Sequence, residues 1–323
     1  MGVTGDGWMR RHRALILLVA SAAVACAYLG YELVQIVSDT QFGGDAHAYW
    51  SIDLANLYGR TLNVQDAYLY APPFAFLISP LLHLSWNAFY VVWTALQHVP
   101  LVLSMGPIPA ALGEQTFIGL RTNLFSGNIH IWTAAMILVG FRWPGVWSAQ
   151  LLTKVVPGVA ILWFVVRGEW RAVRIVALTT AAIVLVTLPF GPRLWIDWIN
   201  VLVGSGGSVE HGLGKVIIVP LTIRGPIALA IVIVGARWDQ RWMLPIAVML
   251  AHPVIWRSGP AILIAVVPLY LADRHPDLVA RAIRAHPWWT LVLAPWVVLL
   301  PETWTRWRAA IRPECRHVMA TGA

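Results

Sequence analysis

A carboxylate that follows two glycines is the first residue of this sequence that could act as a catalytic group. Asp45 stands in the segment Gly43–His47, after a long apolar run and before a tyrosine-rich stretch. A carboxylate held at the edge of a membrane among aromatic residues can serve as a general base toward a hydroxyl group. The same residue could instead only solvate a loop turn, where Asp after Gly is common. The spacing leaves both interpretations of Asp45 open.

Lys154 is the second candidate, because it interrupts the apolar stretch Ala149–Phe164. A lysine in such a stretch is costly unless its ammonium group finds a partner or water. Pro157 predicts a helix break beside it, and an anionic phosphate at a helix break would be a suitable partner. The alternative is that Lys154 reaches the membrane interface with its long side chain.

The sequence predicts no metal site and no cofactor. Asp45 and His47 could both bind a metal, but two ligands do not make a site, and His130, His211 and His252 are scattered along the chain. There is no glycine-rich phosphate-binding loop and no pattern typical of a serine or cysteine nucleophile. Nucleic-acid binding is not predicted, because the basic residues collect in short loops and form no contiguous basic face.

The composition predicts the kind of protein that must position these residues. Of the 323 residues, 59% are hydrophobic and 12% are charged, and the mean hydropathy is +0.68. A soluble domain would carry about 25% charged residues. Apolar segments recur along the chain, and no hydrophilic stretch is long enough for a separate soluble domain. We therefore predict an all-α, polytopic transmembrane helical bundle, a single domain over residues 1–323, with about ten membrane segments.

The distribution of charge predicts how the chain is oriented in a cell membrane. Basic residues at positions 10–13 precede the first apolar run, Ala14–Val37, and this places the N-terminus in the cytoplasm. The outer loops are then expected near residues 38–71, 106–127 and 191–215. The C-terminal side stays open, because a basic tail follows the last apolar segment.

The stretch between Arg142 and Arg167 needs a different topology, because both of its flanks are basic. A single span would put the two arginines on opposite sides of the membrane, against the preference of basic residues for the cytoplasm. We therefore expect two short half-helices that meet at Lys154–Pro157 and return both flanks to the cytoplasmic side.

Four short motifs, taken in order, resemble those of the family 87 glycosyltransferases, which are C-type, polytopic membrane enzymes dependent on polyprenyl-phosphate sugars. The first motif is Asp45 followed by Tyr70–Pro73 (YAPP), which is similar to the D…Y-x-P-P opening of that family. The other three are Gly127-Asn128 at the start of a helix, Lys154–Pro157 followed by Arg167–Trp170, and Ala251–Trp256.

The resemblance implies a transferase that works on the outer face of the membrane. The family takes a sugar, usually mannose and in some members arabinofuranose, from a polyprenyl-phosphate donor and places it on a lipid-linked or polysaccharide acceptor. By this resemblance Asp45 is the catalytic base, and we assign Lys154 to the donor phosphate. The remaining candidate substrate-binding residues are His47, Tyr70, Arg121, Asn128, Trp256 and Arg257. The implied partners are the sugar donor, the glycan acceptor and membrane lipid, and the oligomeric state is not predicted.

Two other classes of protein are alternatives. A lipid or solute transporter or flippase usually shows two related halves and charges buried near the middle of the membrane. Here acidic residues collect in the first predicted outer loop, and no internal repeat is visible. The second alternative is a non-catalytic membrane subunit. It is kept because His252–Trp256, followed by Arg257, departs from the S-P-x-S-W pattern of the family.

Overall fold

The computed structural model describes residues 43–60, 66–153, 156–205, 219–275 and 277, and the regular elements in these ranges are helices. The all-α prediction is therefore confirmed for this part of the chain. The predicted first membrane segment, Ala14–Val37, lies outside the described residues.

The α-helices vary from short turns to membrane length. In chain order they are α1 Gly44–Trp50, α2 Pro72–Ile78, α3 Trp86–Met105, α4 Pro107–Thr116, α5 Ile118–Ser126, α6 His130–Gly140, α7 Trp147–Thr153, α8 Ile161–Val166, α9 Trp170–Thr187, α10 Pro192–Ser205, α11 Leu221–Arg237, α12 Met243–Ala251 and α13 Val266–Arg274. Short 3-10 helices connect them at Ser79–His83, Pro144–Val146, Val156–Ala160, Leu188–Phe190 and Gly259–Ala265.

Two of the described helical segments are long and apolar enough to cross a membrane. They are Trp86–Met105, which is α3, and Trp170–Phe190, which is α9 with the 3-10 turn after it. At about 1.5 Å per residue, each matches the ~30 Å thickness of the hydrocarbon core of a bilayer. Pro72–His83 and His130–Gly140 are shorter apolar helices. These helices support membrane association, while the total of about ten membrane segments stays a prediction.

Helices α4 and α5 occupy the range 106–127, which the sequence led us to expect as an outer loop. In α3, Nε2 of His98 lies 3.0 Å from Oε1 of Glu114 in α4. Near the start of α3, the hydroxyl of Tyr90 donates to the carbonyl of Phe125 at 2.6 Å. Together α4 and α5 thus run back along α3 to its beginning. The range is helical rather than a loop, and its position relative to the membrane stays a prediction.

The predicted pair of half-helices around Lys154 is present as α7 and α8. Helix α7 ends at Thr153 after 7 residues, and α8 begins at Ile161 and has 6 residues. The ring of Phe141, which precedes the pair, lies 5.5 Å from the ring of Trp163 in α8. The end of α8 therefore lies beside the segment that precedes α7, and the return of both basic flanks to the cytoplasmic side stays a prediction. Lys154 itself lies outside the described residues.

The third predicted outer loop, near 191–215, begins with helix α10. Trp195 of this helix is buried, whereas Ile196, Ile199 and Val203 are exposed. The first part of this range is therefore a helix with one buried and one exposed apolar face. Residues 206–218 lie outside the described part of the chain.

Buried apolar side chains form two large clusters. The larger joins α5, α6, α8, α11 and α12, among others, and it contains the fully buried Trp147 and Trp163. The smaller lies among α1, α2 and α3, and we call it the aromatic cluster. Its aromatic members are Tyr49, Tyr68, Tyr70, Phe74, Phe89, Tyr90 and Trp93. Full burial of an apolar side chain stabilises a protein by about 1.5–3 kcal/mol, so packing in this cluster stabilises the short helix α1.

Candidate active site

Asp45 lies in the first turn of α1, and Gly43 determines how that helix begins. Gly43 has φ of 88°, in the left-handed region that favours glycine, and its N–H donates to the carbonyl of Phe125 at 3.0 Å. A Cβ at this position would lie 2.8 Å from the ring of Trp86 and 2.9 Å from that of Tyr90. The backbone before Asp45 therefore lies directly on α3, and only glycine fits there.

The carboxylate of Asp45 is half-buried, and among the described residues it makes no hydrogen bond and no ion pair. The start of α1 has no side-chain capping hydrogen bond, so Asp45 does not cap this helix, although as an acidic residue in its first turn it suits the positive end of the helix dipole. An ionised carboxylate only accepts hydrogen bonds. Asp45 is thus able to accept a hydrogen bond from a ligand hydroxyl group or to take its proton.

Tyr49 and Tyr70 place two phenol groups close to Asp45. Their hydroxyl oxygens lie 2.8 Å apart in the aromatic cluster. Burial raises the pKa of Tyr49 well above its ordinary value, and the electrostatic interactions with Tyr70 and Asp45 raise it further. Burial also raises the pKa of Tyr70, and the charge of Asp45 adds to that effect. Both groups are therefore neutral hydrogen-bonding phenols at physiological pH.

His47 is held by its neighbours on the outer side of the aromatic cluster. Its Nδ1 lies 2.7 Å from Oδ1 of Asp66, and Arg60 Nη1 lies 3.3 Å from the other oxygen of that carboxylate. The imidazole also contacts two indoles, with centroid distances of 5.4 Å to Trp50 and 4.9 Å to Trp86. The sequence did not single out Arg60 or Asp66 for this role. Substrate binding by His47 stays a prediction.

The turn at Gly127 joins Asp45 to the rest of the bundle. Gly127 has φ of 74°, and a Cβ there would lie 2.4 Å from Cβ of Ala46, the residue after Asp45. The indole N–H of Trp93 donates to the carbonyl of Gly127 at 2.7 Å. The close approach of these two backbones places Asn128, a predicted substrate-binding residue, on the same side of the bundle as Asp45.

Asn123 organises the turn before α6 through its side-chain amide. Its Nδ2 donates to the carbonyl of Asn128 at 2.9 Å, and its Oδ1 accepts from the N–H of His130 at 3.2 Å. The amide of Gln97 in α3 lies 2.8 Å away. Asn128 Oδ1 accepts from the N–H of Ile129 at 2.8 Å. Because Gln97 and Asn123 are fully buried, this network fixes the turn. No sequence pattern links Gln97 to Asn123, since they lie on different helices.

The remaining predicted residues are placed more loosely. Arg121 is exposed on α5, and its guanidinium carbon lies 5.2 Å from the ring centroid of Phe125. Trp256 and Arg257 are also exposed, in the segment after α12. Lys154 lies outside the described residues. The structure therefore brings Asp45 and Tyr70 together and leaves the contacts of the predicted phosphate-binding cations as a prediction.

The described ranges hold no cluster of three or more His, Cys, Asp or Glu side chains that could bind a metal ion. Helices of membrane length and a carboxylate without a bonding partner beside neutral phenols suit a membrane-associated transferase that acts on hydroxyl groups. The family model of glycosyltransferase family 87 matches residues 68–285, more than half of the chain, and the chain belongs to this family. Asp45 lies before the matched range, while Tyr70 and Asn128 lie within it. No curated protein and no solved structure matches the chain.

Proposed function

We propose that this glycosyltransferase moves a hexose, most simply mannose, from a polyprenyl-phosphate carrier to a lipid-linked or cell-envelope glycan acceptor. The reaction would take place at the extracytoplasmic face of a multi-pass cell-membrane protein whose N-terminus is cytoplasmic. The observation that carries the proposal is the Asp45 carboxylate, which is half-buried beside Tyr49 and Tyr70 and has no partner among the described residues.

In the proposed reaction, Asp45 takes the proton from an acceptor hydroxyl group. The hydroxyl oxygen forms a bond to the anomeric carbon of the donor sugar, and the bond from that carbon to the phosphate oxygen breaks. The electron pair of the broken bond leaves with the polyprenyl phosphate. A general base must lie about 2.6–3.2 Å from the proton-bearing atom in the substrate complex. Tyr70 and Tyr49, as neutral phenols, would hydrogen-bond the sugar or the carboxylate.

The leaving phosphate needs positive charge more than it needs a proton donor. Lys154, Arg121 and Arg257 are the cations that we assign to it. In support, the carbonyl of Leu152 accepts a hydrogen bond at 3.1 Å from the N–H of Ala71, the residue after Tyr70. Leu152 is two residues before Lys154, and this bond places it beside the residue that follows Tyr70. His47, Asn128 and Trp256 complete the proposed substrate contacts.

The test is transfer of radiolabelled mannose from polyprenyl-phosphate mannose in membranes that contain the wild type, Asp45→Asn or Asp53→Asn. Asp53 is a matched control, because it is an exposed aspartate close by whose Oδ1 accepts only the N–H of Ala55. We expect Asp45→Asn to lose about a hundredfold or more of the rate, the usual contribution of a general base, and Asp53→Asn to keep it.

Equal transfer by the wild type and Asp45→Asn would remove Asp45 from the mechanism. If no donor supports transfer while purified protein in proteoliposomes moves lipid or solute, the transporter alternative replaces this proposal. Inactivity in both assays would favour a non-catalytic subunit.

A further inference from the structure

Arg224 is a buried cation in helix α11, and only 4% of its surface is exposed. Its guanidinium donates four hydrogen bonds to backbone carbonyls. Nε donates to Val219 at 2.6 Å, Nη1 donates to Leu250 at 2.7 Å and to His252 at 2.8 Å, and Nη2 donates to Pro253 at 2.9 Å. Nothing in the sequence pattern singled out this residue, because a lone arginine in an apolar stretch could also lie at the membrane interface.

Within the described part of the chain, the charge of Arg224 is stabilised by backbone carbonyl dipoles. Among the described residues, no carboxylate lies within ion-pair distance of it. Leu250 lies in the last turn of α12, where carbonyl groups have no partner inside the helix and carry partial negative charge. The carbonyl of Val248, also in this last turn, is hydrogen-bonded to the ring of His252, whose Nδ1 lies 2.8 Å from the oxygen. A burial that would be costly for a lone cation is thus offset by four short bonds.

These bonds determine the course of the segment that follows α12. His252 leads this segment, and its ring lies 5.3 Å from that of His130, the first residue of α6. The N–H of His130 is bonded to Asn123, in the network that fixes the turn beside Asp45. Trp256 and Arg257 lie four and five residues after His252. The path from Arg224 to the candidate active site therefore runs through directly bonded or contacting groups.

We propose that Arg224 is a positioning residue for the transfer reaction. It fixes the backbone of residues 250–253, keeps His252 against His130, and so determines where Trp256 and Arg257 stand relative to the substrate. This inference rests on the proposed function for its catalytic part, while its structural part does not depend on that function.

The planar guanidinium is required for this role. It offers five N–H donors in a fixed plane, and four of them are used on carbonyls from two separate stretches of chain. A lysine has three donors on one nitrogen atom and cannot span the same set of carbonyls. Lys at position 224 would keep the charge and lose the geometry, so the two contributions can be separated by substitution.

The experiment compares Arg224→Lys and Arg224→Ala with Arg237→Lys and Arg237→Ala in purified protein in lipid nanodiscs. Arg237 is a matched control, because it ends the same helix and is exposed. Two readouts are taken: kcat and KM for mannosyl transfer, and amide hydrogen exchange of residues 250–258. A displaced site typically loses up to about 100-fold in rate. We expect both Arg224 variants to lose kcat by that order and to exchange faster in 250–258, with α3 unchanged.

A rescue measurement separates lost positioning from general misfolding. Methylguanidinium added to Arg224→Ala should restore protection of 250–258 and part of kcat, which a misfolded protein would not show. Wild-type kcat and wild-type exchange in Arg224→Lys would overturn the proposal. If the wild type transfers no sugar from any polyprenyl-phosphate donor but exchange still separates Arg224→Lys from Arg237→Lys, the proposed function fails and the positioning of the segment is supported.

Discussion

Substitution of Gly127 by alanine should reveal how tightly the Asp45 helix is held. The new Cβ would lie 2.4 Å from Cβ of Ala46 and 3.2 Å from the backbone nitrogen and Cα of that residue. Gly127 also has φ of 74°, a conformation that costs an alanine about 1–2 kcal/mol. Overlap in a packed site adds about 1–3 kcal/mol, so the free energy of unfolding should fall by about 2–5 kcal/mol.

The overlap can be separated from the backbone strain by two further variants. Gly168 has φ of 68° and nothing within 4 Å of the position of a Cβ, so Gly168→Ala should show only the backbone cost of about 1–2 kcal/mol. Ala46→Gly removes the atom that clashes, although it weakens α1 by about 0.5–1 kcal/mol on its own. The double variant Ala46→Gly with Gly127→Ala should therefore be more stable than Gly127→Ala alone.

The assay is chemical or thermal unfolding of detergent-solubilised protein, followed by circular dichroism, with sugar transfer measured in parallel. We expect Gly127→Ala to lose more transfer activity than Gly168→Ala, because α1 carries Asp45. The reasoning would be refuted by a Gly127→Ala protein as stable as the wild type, or by a double variant no better than the single one.

Two further predictions concern buried polar groups. Tyr49→Phe removes the 2.8 Å hydrogen bond to Tyr70, which should lower the free energy of unfolding by about 1–2 kcal/mol. Because the pKa of both phenols is raised in the folded protein, the unfolded chain loses these protons first as the pH rises beyond about 10. The free energy of unfolding should therefore fall with rising pH in that range, and less steeply in Tyr49→Phe, as denaturation curves at several pH values would show; equal slopes would contradict this. Asp273→Ala removes the acceptor of the 2.7 Å ion pair with Arg241. The side chain of Arg241 is 13% exposed and that of Asp273 is 3% exposed. Loss of one partner of a buried ion pair should lower the free energy of unfolding by about 3–5 kcal/mol in the same assay. A loss below about 1 kcal/mol, which is typical of an exposed ion pair, would show that this pair is not buried in solution.

Composition and local signals were sufficient for the helical class, for membrane association and for one detail of topology. Pro157 and the two basic flanks predicted the helix break, and the structure has it between Thr153 and Ile161. These features are local, since a proline changes the backbone of its own turn whatever surrounds it. The proximity of Asp45 to Tyr70 was available only through the resemblance to a family.

The range 106–127, expected as an outer loop, contains two helices, and the contacts that hold them could not be read from the sequence. Glu114 and Asn123 are polar residues of this range, and the sequence does not indicate what satisfies them. In the structure Glu114 pairs with His98, and Asn123 lies against Gln97. Both partners are in α3, and polar residues satisfied by another helix look the same in a sequence as residues satisfied by water. Arg224 escaped notice for the same reason, because backbone carbonyls leave no signature in a sequence.

The outward face of α9 has a consequence for how this protein changes over evolutionary time. Leu178, Leu185 and Val186 are mostly exposed, whereas Val176 is buried and its carbonyl accepts from the hydroxyl of Ser148. A fluid hydrocarbon neighbour accepts any branched or linear apolar shape, so selection at the exposed positions acts on hydrophobicity alone. Neutral drift should therefore exchange leucine, isoleucine, valine and phenylalanine freely on this face. On the face toward Ser148, selection acts on side-chain shape as well as on polarity. We therefore expect slower substitution on the buried face of α9 than on its exposed face.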